Sequence, residues 1–238
     1  MQNVFNIAWR QFRSYFNGPV AYIVAIIMLG VVGFMFWTFF FLQGRATVHE
    51  MFNWMGYVMV IAAPAITMGL IAEEKASGTI EILLTMPVKE SEVILGKFFG
   101  AFGLYLVIVL LTFVNPLAVS QFGQLDWGPV MTGYLGLVLE GSAMIAIGLV
   151  ASSTQSNQLV AFFISLFMLA FVGWLVPAAA RFLATGWLAS ALETISFTHH
   201  LESMARGVID TRDVLFFVSL TIAGLVLSFQ AVESRRWS

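Results

Sequence analysis

Glu140 holds the clearest chemical promise in this sequence. It is the only charge between Asp126 and Arg181, so it falls inside a long apolar stretch. An ionisable side chain in such a place faces a cavity or a partner and marks a pathway. Two roles stay open for it here. It lines a translocation path or a subunit interface, or it bonds to a neighbouring helix as structural glue. His199, His200 and Glu202 form a second polar cluster, and His49-Glu50 repeats the same chemistry elsewhere. A metal is conceivable for such groups, but adjacent residues lack a firm ligand spacing. An interfacial helix with polar tips fits them better, and no metal site is expected. Nor is the chain expected to be an enzyme. No G-x-x-x-x-G-K-[ST] run occurs, since Gly96-Lys97 passes directly into Phe98, so a phosphate-cradling loop is missing. The sequence holds no cysteine, which excludes disulfides and thiolate metal sites. A net charge of −2 gives no basic surface for nucleic acid.

The elements that position these residues follow from composition. Hydrophobic residues make up 60% of the 238, and charged residues only 10%, against about a quarter in soluble domains. A soluble fold of this size cannot hide that much apolar surface, so lipid is its solvent. Charges mark the span limits, each costing about 2.5–3.5 kcal/mol at mid-bilayer. Six apolar stretches result, near 20–42, 51–72, 98–120, 129–151, 159–179 and 213–232, within one transmembrane domain covering 1–238. Each is long enough to cross a hydrocarbon core as a helix. The first apolar run is too long for a cleaved leader.

Lys and Arg set the orientation. With the N-terminus inside, Arg10, Arg13, Lys75, Lys89, Lys97, Arg235 and Arg236 lie inside, and Arg45, Arg181, Arg206 and Arg212 outside. The excess favours both termini in the cytoplasm. Ahead of the first span, Phe5, Trp9, Phe12 and Phe16 recur at helical spacing, which predicts an interfacial helix over 3–17. Gly133, Gly136, Gly141 and Ser142 offer close packing on the fourth span. Pro64 and Asn115-Pro116 predict kinks. The Phe36–41 run with Trp37 suits lipid contact, or an aromatic path.

The inner loop after the second span is the most informative segment. Gly78 supplies a corner, Thr79 a cap, and Pro87 a stop about two turns later. Ile80, Ile82, Leu83, Leu84 and Met86 make that helix apolar nearly all round. Such a helix docks either on its own spans or on a partner protein. In the outer segment 180–212, Leu188, Ala191, Leu192 and Ile195 share one helical face, and Leu201, Met204, Ala205 and Val208 another. Gly207 ends the second helix, and Asp210 with Asp213 suits a cap for the last span.

Glu73-Glu74-Lys75, the run Ser77-Gly78-Thr79-Ile80-Glu81-Ile82-Leu83-Leu84-Thr85-Met86-Pro87-Val88, and Val93-Ile94-Leu95-Gly96-Lys97 together resemble the second-span junction of ABC-2 transporter permeases. Within that class the sequence most resembles the gliding-motility type, and more distantly the nitrous-oxide-reductase maturation type. The stretch from Ala146 to Gln158 is similar to the family's inner loop after span four. His200-Leu201-Glu202 with Arg206-Gly207-Val208-Ile209-Asp210 is similar to its outer segment.

The resemblance implies an all-α, six-span subunit of an ABC exporter in a bacterial inner membrane. It would pair with a second six-span permease, an identical copy or a paralogue, and with a cytoplasmic ATP-binding subunit that holds the ATP and Mg. Residues 78–86 would form the coupling helix, with Trp9, Glu74, Gly78, Thr79, Ile80, Glu81, Leu83, Leu84 and Pro87 at the ATPase interface. Residues 152–158 would make a lesser inner contact, and the outer helices would be re-entrant and close the path. Two rivals remain on sequence alone: a membrane anchor for an ATP-driven motility or assembly complex, and a membrane-embedded enzyme using Glu140 or the 199–202 cluster.

Overall fold

The computed structural model describes residues 2–44, 47–79, 89–182 and 186–234. The fold is all-α: 88% is helical, and no strand occurs among the described residues. Six helical stretches are long and apolar enough to cross a membrane: Val20–Leu42, His49–Ala76, Glu90–Phe122, Trp127–Thr154, Gln158–Phe182 and Thr211–Glu233. The chain is a multi-pass membrane protein.

Helix α1 (Gln2–Asn17) precedes the spans, and Gly18-Pro19 separates it from α2 (Val20–Gln43). Gly44 ends α2 in the left-handed region, φ 61°, its N–H donating to Phe40 O at 3.0 Å. The second span is α3 (His49–Thr67) followed by the short α4 (Ala72–Ala76). The third is α5 (Glu90–Thr112) and α6 (Val114–Phe122). They part at Phe113 because Pro116 has no N–H to give the carbonyl of Thr112, four residues back.

The fourth span is a single helix, α7 (Trp127–Thr154), started by Asp126, whose carboxylate accepts from the N–H of Gly128 at 2.9 Å. In the fifth, α8 (Gln158–Ala170) passes through a π-helical turn, Phe171–Leu175, into α9 (Val176–Phe182). Two short helices, α10 (Trp187–Ile195) and α11 (Phe197–Ala205), lead to the last span, α12 (Thr211–Glu233). Asp210 caps α12, accepting from the N–H of Arg212 at 2.9 Å.

Packing centres on α7, which meets α3, α5, α8, α11 and α12. Glycine makes that crowding feasible, since backbones approach closely only where no Cβ intervenes. A Cβ on Gly133 would lie 2.3 Å from the Phe52 ring, one on Gly141 2.0 Å from Tyr105, and one on Gly148 2.2 Å from Thr67 Oγ1. Ser142 instead shares a hydrogen bond of 2.9 Å with Thr221 of α12. Helices α2 and α12 and the fifth span stand at the periphery, turning most of their apolar surface outward.

The third span departs from the sequence expectation. It begins at Glu90 rather than near Phe98, because Lys97 does not end the helix but lies buried within it. Helix α1 docks by a face that takes in only the later half of its aromatic stripe, with Phe12 against Gly103 of α5 and Phe16 against the core. Phe5 and Trp9 are exposed, while Ile7, Ala8 and Gln11 press on Gly96 and Gly100 of α5. Tyr15 is buried, and its hydroxyl donates to Ile66 O at 2.7 Å.

Candidate functional site

The C-terminal end of the second span is a helix broken at full depth of packing. Pro64 sits inside α3, and the helix stops at Thr67 before resuming at Ala72. A break frees backbone groups that must find other partners when buried. Here they come from three neighbouring elements. Ser152 of α7 accepts from the N–H groups of Ile71 and Ala72, at 3.0 and 3.2 Å, and donates to Met68 O at 3.0 Å. One hydroxyl thereby closes the break. Tyr15 of α1 takes the Ile66 carbonyl, and burial holds its hydroxyl well above the usual titration range. Lys97 of α5 donates to Leu70 O and pairs with Glu74 Oε1 at 2.8 Å. Lys75 donates to Ser153 O.

Lys97 is only 3% exposed, and one oxygen of Glu74, Oε2, is buried without a partner among the described residues. Beside this joint opens a cleft of about 490 Å³, lined by Gln11, Tyr15, Glu73, Glu74, Thr79 and Lys97 among others. Gly78 turns the chain at φ 69°, and Thr79 Oγ1 lies 2.9 Å from Ser77 Oγ and 3.3 Å from Glu74 O. The Thr79 hydroxyl is thus engaged backwards, with α4.

Of the expected coupling residues, Glu74 and Thr79 line the cleft and Gly78 turns the chain beside them. Trp9 stands apart on the exposed face of α1, with the Arg13 guanidinium over its ring at 4.8 Å. Ile80, Glu81, Leu83, Leu84 and Pro87 lie outside the described residues, as do Arg235 and Arg236. Sequence reasoning missed Lys97, Ser152 and Tyr15. A lysine inside an apolar helix and a serine ending another were the available signals. Ser152 and Ser153 are also buried, so within 152–158 it is Thr154, Ser156 and Asn157 that are exposed, with Gln155 and Gln158 half-buried.

Glu140 lies 2% exposed on α7, turned into the bundle. It faces Gly56 of α3: a Cβ on that glycine would stand 3.1 Å from both carboxyl oxygens and 3.1 Å from Leu201 Cδ2 of α11. Glu140 Oε2 has no hydrogen-bond partner among the described residues. The outer histidines separate. His199 is exposed, and His200 is buried with Nδ1 at 2.6 Å from Asp213 Oδ1 and Nε2 at 2.9 Å from Thr194 O. Asp213 therefore serves this pair while Asp210 alone caps α12. Among the described residues no group of three His, Asp or Glu could hold a metal ion.

The geometry is thus six packed spans with a polar joint in the second, followed by a short helix, α4. A family model described as ABC-2 family transporter protein matches residues 38–229. The chain belongs to the ABC-2 transporter family. The match runs from the first span to the last and takes in both the joint and Glu140. Among curated proteins, none matches the chain. Members of this family are membrane components of ABC transporters.

Proposed function

We propose that this chain is the membrane-spanning subunit of an ATP-driven exporter, coupled to a separate ATP-binding subunit at its inner face. The observation that carries the reading is the joint at 68–72. Its backbone groups are satisfied by α7 through Ser152 and by α5 through Lys97, with α1 adjoining at Ile66. A push on the inner loop at 78–88 therefore bears on three spans together rather than on a loose linker. Packed elements tied by buried polar contacts move as units, which is how closure of a motor becomes tilting of a bundle.

On this reading the partner holds ATP and Mg, and it meets Trp9, Glu74, Gly78, Thr79, Ile80, Glu81, Leu83, Leu84 and Pro87. A second six-span subunit completes the path, both termini are cytoplasmic, and the membrane is a bacterial inner membrane. Substrate moves outward past Glu140. Pulling down the tagged chain in mild detergent should bring an equimolar subunit with a phosphate-binding loop, and ATP hydrolysis by that complex should fall several-fold on Glu74→Gln. Recovery of the chain from its native membrane without any ATPase overturns the proposal.

A further inference from the structure

Helix α11 reaches inward along α7 as far as Glu140. Leu201 Cδ1 stands 3.0 Å from where a Cβ on Gly136 would be, and Leu201 Cδ2 shares the Gly56 notch with the Glu140 carboxyl. Thr132 Oγ1 donates to Met204 O at 2.6 Å. The residue before Leu201 is His200, 5% exposed and stacked on Phe216 with ring centroids 4.1 Å apart. We propose that α11 is a plug over Glu140, latched by a His200–Asp213 pair that must hold two protons, so that alkaline conditions on its side release it.

Counting protons gives the latch its sign. The Thr194 carbonyl can only accept, so Nε2 of His200 carries a hydrogen. At 2.6 Å, the contact between Nδ1 and Asp213 Oδ1 also needs a proton between its atoms. Whether that proton rests on the imidazole or on the carboxyl, the pair holds two. Removing one sets lone pair against lone pair in a site that water does not reach. Asp213 Oδ2 has no partner among the described residues, so no second donor offsets the loss.

Few other ionisable groups bear on the pair. The elements packed against α11 carry Glu140 on α7, His49 and Glu50 on α3, Glu193 on α10, and Arg212, Asp213 and Glu233 on α12. The π-helical turn carries none. On and just beyond α11 are His199, its ring centroid 5.6 Å from that of His200, with Glu202 and Arg206. Of all these, Asp213 alone bonds to the ring.

The outward placement of α11 rests on the proposed function, and the test separates the two. The sequence has no cysteine, so single-cysteine reporters read cleanly. Met204→Cys lies under the plug at 0% exposure, and Val208→Cys lies just beyond it, 57% exposed. Both are labelled with an impermeant maleimide in vesicles containing the whole complex, and the 204-to-208 ratio cancels the reagent's own pH dependence. As the medium goes from acid to alkaline and the pair gives up one of its two protons, the ratio should rise by about tenfold, the scale of one lost charge-assisted hydrogen bond. With His200→Phe it should be high and flat. Asp213→Asn, whose amide can donate to an unprotonated Nδ1 as well as accept from a protonated one, should hold the latch in acid and in alkali and give a low, flat ratio, which tests the pair if the phenylalanine variant does not insert. A flat ratio in the His200 background overturns the latch, and so does an unchanged pH curve in both variants. If residue 208 is labelled only in inverted vesicles, the orientation fails, and the same ratio measured there still decides the latch.

Discussion

A buried ammonium survives two turns inside a helix only when it is paired with an opposite charge and hydrogen-bonded. Lys97 meets that condition through Glu74 and the Leu70 carbonyl. Breaking a buried pair leaves the other charge stranded, at a cost of about 3–5 kcal/mol, whereas removing both is far milder. Glu74 is one-fifth exposed, so its stranding falls toward the lower end. Lys97→Met should therefore lower the thermal midpoint in detergent more than the double variant Lys97→Met/Glu74→Gln does. Additive losses in that cycle would sink this account of the joint. The same residues show where sequence reading stops. Glu140 stands out as a charge in an apolar run, and its burial agrees with that. Lys97 reads as the edge of a span, because one sequence gives the cost of a charge but not the partner that offsets it.

At the scale of elements, glycine spacing decides which helices touch. Gly96 and Gly100 let α1 rest on α5; a Cβ on Gly100 would fall 2.6 Å from Gln11 Cβ and 2.9 Å from the Ala8 carbonyl. Backbone cannot step aside as a side-chain tip can. Gly100→Ala should cost about 1–3 kcal/mol by overpacking and should free α1 to early protease cleavage. Gly30→Ala, with open space around it, should leave stability unchanged or slightly raised. Equal melting and cleavage for the two variants would refute the docking of α1. Gly133, Gly136 and Gly141 of α7 were legible in the sequence, whereas Gly148 was not singled out. The docking face of α1 was not fully legible: Phe12 and Phe16 belong to it, but Phe5 and Trp9 of the same stripe do not. Nor was the π-helical turn at Phe171–Leu175, where Gly173 sits against Val60 and its carbonyl takes a 3.5 Å hydrogen bond from Thr198. Its phase is fixed by packing on another helix, and no local pattern announces it.

For the whole molecule, the spans divide the connecting segments between two faces. Lys89, at the start of the third span, and Val208, before the last, belong to opposite ones. Cysteines placed singly at these positions should react with an impermeant reagent from opposite sides of the membrane, Lys89→Cys only in inverted vesicles. Same-side reaction would break the six-span order and, with it, the placement of the inner joint. Six spans were readable because charges are scarce enough to act as boundaries. Their mutual arrangement around α7 was not, because it depends on which glycine meets which side chain across the bundle.

The inner joint also has a history during synthesis. Glu74 leaves the ribosome before Lys97, so the carboxylate is already in place when the ammonium follows, and consecutive spans can enter the bilayer as a neutralised hairpin. Ser152 comes much later in the chain. Until it arrives, the N–H groups of Ile71 and Ala72 lack the hydroxyl that closes the break. The chain thus completes its ionic contact early and its hydroxyl clasp late, which leaves the second span pliable until the fourth has been inserted.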